Sequence, residues 1–386
     1  MQLPSAAALL SLVLWSILSA TTKAEATAKE TTSIYDLLDS PVSWTSLSDN
    51  KLSILAGYHV IYSWPGSILP QRLLNLAEAG KVGGVIIFGE NVVDGLPAQI
   101  QSLQDAYANG PAYDGTPLLV VTDQEGGEVV RLPGGPEESA KEIGSSAHPA
   151  RAAASAGPTS PAAGAMAEGL IIGKGNLAPV LDVYRKEGDF DDQFERSFSK
   201  DPDIVKKCGT AFLNSQQANG VLATTKHFPG LGAADSDENT DLGPVTLDVP
   251  LKQLRSIDEL PFKGAIAAGV SMVMPSWAVY PALDPKRPAG LSSKWIRAEL
   301  RQRLGFKGVT ISDAIEAGAL EDSGSNSTRA VTAIEAGMDI ALASARDVSQ
   351  GKEVLDGLVA AIRDGSISGQ DFAASTKRIM ALRSKL

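Results

Sequence analysis

Short, unbroken apolar runs recur along the chain every few dozen residues, and between them the apolar positions shift to a helical spacing. The runs are Ile54 to Tyr62, Gly83 to Phe88, Pro117 to Asp123, Asn176 to Leu181, Val221 to Lys226, Val270 to Met274, Gly308 to Asp313 and Met338 to Ala343. Each is rich in Val, Ile and Leu, as expected for parallel strands covered on both faces. Helix-period segments fall at Leu96 to Tyr107, Pro161 to Leu170, Asp203 to Asn219, Leu251 to Ala268, Lys294 to Leu304 and Thr328 to Ala336. Val354 to Ile362 and Asp371 to Leu386 read as closing helices. Eight strands alternating with helices predict an α/β fold, a single-domain (β/α)8 TIM barrel. A doubly wound open sheet is the alternative. No G-x-G-x-x-G or Walker motif follows the first run, so a nucleotide-binding version lacks support.

Ahead of these runs, Ala6 to Leu18 is almost wholly apolar and is followed by small residues at Ala24 and Ala26. It is shorter than the roughly 20 residues that a membrane span requires. The pattern predicts a cleaved secretory signal over 1–26, a polar lead-in over 27–48 and the barrel over 49–386. A secreted chain, free of the membrane after cleavage, is the expectation. With 44% hydrophobic and 20% charged residues in 386, the chain can bury a sizeable core. A net charge of −11 argues against nucleic acid or anionic membrane as partner, since both attract basic surface. Cys208 is the only cysteine, so no intramolecular disulfide forms. Its helical spacing from Ile204 and Phe212 makes it a small buried hydrophobe. Asn326-Ser327-Thr328 is a glycosylation sequon.

Several runs end in ionisable residues, and the C-terminal edge of barrel strands is where chemistry sits. Asp123 ends the third run and Arg131 comes shortly after. A carboxylate and a guanidinium at one pocket edge can grip a polyol, one accepting and the other donating hydrogen bonds. Arg196 follows the fourth run, and Lys226-His227 closes the fifth before a Pro-Gly turn. Adjacent strand residues point to opposite faces, so both Lys226 and His227 reach a pocket only if the strand ends or bulges there. Asp313 ends Val309-Thr310-Ile311-Ser312 and is the strongest single candidate. Carboxylates serve as nucleophiles in glycoside hydrolysis. Trp64 and Trp277 follow the first and sixth runs; indole stacks on sugar faces, and Trp277 is preferred as a wall of the binding site.

Together these segments resemble glycoside hydrolase family 3, in particular its single-barrel β-N-acetylglucosaminidases. The matching stretches are GGVIIFGEN (83–91), TDQEGGEVVRLPG (122–134), LAPVLDV (177–183), ERSFSKDP (195–202), KHFPGLG (226–232), MVMPSWAVYP (272–281) and LGFKGVTISDAIEAGAL (304–320). The resemblance implies Asp313 as the nucleophile of a retaining mechanism, with a carbohydrate substrate and no metal or cofactor. It implies that Asp123, Arg131, Arg196, Lys226 and His227 hold the terminal sugar, with Asp182 supporting the pocket floor.

The departure lies in the acid/base. The acetylglucosaminidase branch carries KHFPGHG followed by a D-S-H triplet whose histidine does this work. Here Leu231 replaces the first histidine, and the loop 233–241 has none. The chain has 3 histidines in all: His59, His148 and His227. The loop offers Asp235, Asp237, Glu238 and Asp241 instead, and setting Asn239-Thr240-Asp241 against D-S-H makes Asp241 the stand-in. A carboxylic acid can protonate a glycosidic oxygen if apolar or like-charged surroundings raise its pKa. The expected activity is a secreted retaining exo-glycosidase, foremost on β-N-acetylglucosaminides. β-Glucosidase or β-xylosidase specificity stays open, as does a non-catalytic carbohydrate-binding barrel that lost its histidine. A Schiff-base lyase using Lys226 is a further rival.

Overall fold

The computed structural model describes Leu38 and residues 44–156 and 174–386. The expected signal over 1–26 and the helix expected at Pro161 to Leu170 lie outside the described residues. Eight parallel strands close into a barrel: β1 (Val60–Tyr62), β2 (Gly84–Ile87), β3 (Leu119–Thr122), β4 (Lys174–Asn176), β5 (Leu222–Phe228), β6 (Met272–Pro275), β7 (Val309–Ala314) and β8 (Ile340–Leu342). Each strand pairs with the next in sequence, and β8 closes on β1 with Val60 beside Ala341. The strand residues are buried almost throughout, which is why their sequences are continuous apolar runs rather than alternating ones.

The first element differs from expectation. Ile54 to Tyr62 is not one strand: Asp49–Gly57 is helical and only Val60–Tyr62 is extended. Ser48 caps this helix, accepting from Lys51 N–H at 3.4 Å. Leu52, Leu55 and Ala56 share its buried face at helical spacing. A buried helix and a buried strand of this length look alike in an apolar run. The fourth strand is displaced: it spans Lys174–Asn176 and shares only Asn176 with the expected Asn176 to Leu181, where Pro179 has no N–H to give the ladder. Beyond it the chain stays joined to β5: Thr224 N–H donates to Ala178 O at 3.1 Å and Leu181 N–H to Lys226 O at 2.7 Å.

The remaining helices fall close to the positions expected from spacing. They include Leu96–Ala108, Pro202–Ala218, Asn326–Ala336, Val348–Asp364 and Gly369–Arg383. The segment Leu251–Ala267 is helical throughout, but widens to a π-turn over Leu254–Asp258. Pro261 lies three residues past this turn, and in a regular helix its ring would clash with the carbonyl four residues back, that of Ile257. Cys208 is buried in the outer core between helix and barrel.

At the N-terminal edge of the barrel, Asp339 anchors the C-terminal helix through Arg378 (2.7 Å) and Ser375 (2.6 Å), and binds Arg301 of the helical segment Lys294–Arg303 at 2.6 Å. His59 lies in the same layer, its Nδ1 against Asp339 O at 2.6 Å and its Nε2 against Thr376 Oγ1 at 2.8 Å. Burial pushes its pKa down to about 4. It is a neutral structural histidine bonded at the barrel edge opposite the chemistry.

Candidate active site

At the C-terminal ends of the strands lies a cavity of about 340 Å³. Asp123, Arg131, Arg196, Lys226, His227, Asp241 and Asp313 all line it. Residues scattered from the third to the seventh strand thus converge on one mouth, as barrel closure requires.

The deepest layer is an ion cluster. Lys226 Nζ lies 2.8 Å from Asp123 Oδ1 and 2.7 Å from Glu125 Oε1. Arg196 grips Glu125 with two parallel bonds, Nε to Oε2 and Nη2 to Oε1, both 2.9 Å. Burial alone would raise the Glu125 pKa, but Arg196 and Lys226 outweigh it and hold the carboxyl far below its usual range. Burial likewise disfavours the Lys226 cation, while Asp123 and Glu125 reverse that and raise its pKa. A lysine held charged in this way is no amine nucleophile, which removes the ground for Schiff-base chemistry. Arg131 has its backbone N–H bound to Gln124 Oε1 at 2.9 Å, and its own Nε is buried with no protein partner.

β5 slips register against β6 between Lys226 and Phe228. This slip reconciles period-2 alternation with two adjacent side chains, Lys226 and His227, in one cavity. Asp182 lies beneath His227 and is fully buried. It accepts His227 Nδ1 at 2.7 Å, His227 N–H at 3.2 Å and Leu231 N–H at 2.6 Å. Burial works against protonated His227, but Asp182 and then Asp313 raise its pKa. The imidazole therefore turns Nε2 to the cavity, 4.0 Å from Asp313 Oδ2.

Asp313 sits at the end of β7. Its Oδ1 accepts Ala314 N–H at 2.7 Å, and its side chain is 21% exposed. Ser312 ties this turn down, donating to Asp313 O at 2.7 Å and accepting Leu342 N–H at 2.9 Å.

The acidic loop is sorted by the structure. Asp235 is 2.5 Å from Lys186 at the surface. Glu238 accepts Asp235 N–H at 2.8 Å within the loop. Of the four acids only Asp241 lines the cavity, beside Asn239 and Thr240. Asn239 Oδ1 accepts Asp241 N–H at 2.8 Å, and Asp241 O accepts Gly318 N–H at 2.9 Å. A Cβ on Gly318 would come within 2.4 Å of the Leu242 carbonyl, so the close approach needs glycine. Asp241 is open to solvent on one side. Desolvation on the other, then repulsion from Asp313, raises its pKa.

Trp277 corrects the expectation of a sugar-stacking wall. It is 1% exposed and absent from the cavity lining. Its Nε1 donates to Ala314 O at 2.9 Å, and Gly290 packs so closely that a Cβ would lie 2.3 Å from the indole. It buttresses the residue after Asp313 from behind. Trp64 is fully buried as well. Aromatic surface at the cavity comes instead from Phe88, Phe190 and Phe194. His148 is exposed and does not line the cavity.

Two acids of the cluster were not singled out by sequence. Glu125 carried a usable signal: it lies two residues past Asp123 in extended chain, hence on the same side. Asp191 carried none. It is buried with both carboxyl oxygens unpartnered, and Arg196 Nη1 is 3.9 Å away. Burial, then Asp182, raises its pKa to about 7 against the pull of Arg196. Among the described residues no group of three or more donors is placed to hold a metal ion.

A family model described as "Glycosyl hydrolase family 3 N terminal domain" matches residues 69–382. A chain from Arthroderma benhamiae named "Uncharacterized secreted glycosyl hydrolase" is 52% identical, over 87% of this chain and 94% of that one. A "Beta-hexosaminidase" from Stenotrophomonas maltophilia is 36% identical over 72% of this chain and 80% of its own. Among solved structures, a family 3 β-N-acetylglucosaminidase from Paenibacillus superposes with a TM-score of 0.78 at 32% identity, over 88% of this chain and 63% of that one. A β-N-acetylhexosaminidase from Beutenbergia cavernae gives 0.75 at 32% identity, over 88% of this chain and 99% of that one.

Proposed function

The chain belongs to glycosyl hydrolase family 3, and on that premise we propose that it is a secreted retaining exo-glycosidase that removes terminal β-linked N-acetylglucosamine. The choice of sugar leans on the names of the similar hexosaminidases, and secretion on the name of the Arthroderma relative and on the N-terminal apolar run. Among the described residues no helix is long and apolar enough to cross a membrane.

Asp313 Oδ2 attacks the anomeric carbon while the bond to the leaving oxygen breaks. Asp241 passes its proton to that oxygen. Water then attacks the glycosyl ester, Asp241 takes a proton from it, and the Asp313 carboxylate leaves. Two inversions retain the β-configuration. Lys226, Arg196 and Arg131 donate to the sugar hydroxyls and Asp123 accepts, while His227, fixed by Asp182, presents Nε2 beside the reacting centre. The observation that carries this reading is the pair of carboxyls on one cavity, Asp313 held by Ala314 N–H and Asp241 with its pKa raised. Pushing two such acids apart in pKa is how one site supplies both nucleophile and acid.

The test is a 2-fluoro sugar with an activated leaving group. A stable adduct on Asp313 is the expected result, together with loss of aryl-glycoside hydrolysis in a folded Asp313→Ala variant. Unchanged turnover by that variant would remove Asp313 from the role. Binding without any adduct would favour a carbohydrate receptor. A β-glucoside or β-xyloside preference is the second reading, favoured by Leu231 standing where the acetylglucosaminidase branch carries a histidine. Relative rates over a panel of aryl glycosides decide between them.

A further inference from the structure

We propose that Phe194 is the platform of a leaving-group subsite, stacking on the second sugar of a β-linked disaccharide. The proposal rests on the glycosidase reading of the cavity. Phe194 lines that cavity, yet is 44% exposed. A large apolar ring left partly in water forgoes stabilisation that full burial would bring. Here it stands at the rim of a cavity whose interior is charged.

The backbone holds it there. Phe194 ends the short helix Phe190–Gln193, with Phe190 braced against it in a T-shaped contact at 5.5 Å between ring centres. The next residue, Glu195, adopts a left-handed conformation at φ 53°, which is unfavourable for a residue other than glycine. Glu195 N–H donates to Asp192 O at 3.0 Å and its carbonyl accepts Lys141 N–H at 3.2 Å. This pinned bend sets Phe194 at the rim and, two residues on, Arg196 against the Glu125 clamp.

The position relative to the acid identifies the occupant. Phe190 N–H donates to Ala234 O at 3.1 Å, and Gln193 Nε2 donates to Ser236 O at 2.6 Å. Both bonds tie the helix below Phe194 to the loop that carries Asp241. A general acid must stand beside the glycosidic oxygen, so an aromatic joined to its loop borders the departing group. The terminal sugar is taken by the polar clamp of Lys226, Arg196 and Asp123. A second pyranose, with its apolar C–H face, matches a phenyl ring.

The experiment compares kcat/KM for the β-1,4-linked disaccharide of N-acetylglucosamine with that for the methyl β-glycoside of the same sugar. In Phe194→Leu the ratio of the two is expected to fall about tenfold, equivalent to about 1.4 kcal/mol, chiefly through the KM of the disaccharide. Phe194→Trp is expected to keep the ratio or raise it. A ratio within about twofold of the unsubstituted enzyme in Phe194→Leu overturns the proposal, even if both rates drop, because a packing role moves both substrates together. A tenfold fall in Phe194→Trp overturns it as well. If the unsubstituted protein hydrolyses neither glycoside, the N-acetylglucosaminidase reading of the cavity fails and the proposal with it, an outcome distinct from an unchanged ratio.

Discussion

Replacing Glu125 by Gln keeps the shape of the side chain and deletes one negative charge from between two cations. Glu125 is 7% exposed and receives two bonds from Arg196 and one from Lys226. Removing one partner of a buried ion pair costs about 3–5 kcal/mol. The amide oxygen can still accept from one cation while the amide NH2 faces the other's donors, so the low end, about 3 kcal/mol, is expected. At roughly 2 °C per kcal/mol for a chain this large, the melting temperature falls by about 6 °C at pH 7. The pH dependence carries the sharper test. The folded carboxyl titrates below its ordinary value of 4.5, so its stabilisation is present above that value and is lost as pH falls toward the folded one. Between pH 4.5 and pH 3 the unfolded chain takes up a proton that the native one refuses. The gap between unsubstituted protein and variant should therefore shrink by about 2 kcal/mol over that interval. Thermal melting of both proteins at pH 7, 4.5 and 3 measures it. A variant melting within about 1 °C of the unsubstituted protein at pH 7 would refute the premise that Glu125 is an ionised hub.

Asp241→Asn should lower kcat/KM by about 10²–10⁴ on alkyl glycosides and much less on nitrophenyl glycosides, whose leaving groups need little acid. Because Asp241 has a raised pKa and, in the proposed mechanism, enters the first step protonated, activity in the unsubstituted enzyme is expected to fall as pH rises through that value. This alkaline limb should vanish in the variant, and equal losses on both substrate types would exclude Asp241 as acid. Trp277→Phe removes the donor to Ala314 O behind Asp313. It should cost about 1–3 kcal/mol of stability from the unsatisfied carbonyl, read by denaturant melting. The ratio between substrates should stay unmoved, whereas a selective change for the longer substrate would return the indole to the sugar.

The α/β order, the count of strands and the barrel were legible along the chain. Parallel strands buried on both faces write themselves as apolar runs, and helices as a 3.6-residue rhythm, within windows of a dozen residues. Position at the strand ends singled out Asp313 and the clamp residues, the resemblance gave them roles, and the structure brings all of them to one cavity. The first run misled because helix Asp49–Gly57 and strand Val60–Tyr62 are both apolar and buried, and nothing local separates them.

What the sequence by itself determined was the set of elements and the edge on which ionisable residues end. Which of four loop acids turns inward, whether Trp277 faces sugar or core, and what neutralises Lys226 were decided only by tertiary structure. Lys226 and Asp123 are 103 residues apart along the chain and 2.8 Å apart in space. Burial and partner charge, which set the direction of each side chain and its protonation state, are properties of the closed barrel and have no signature in any single stretch of it.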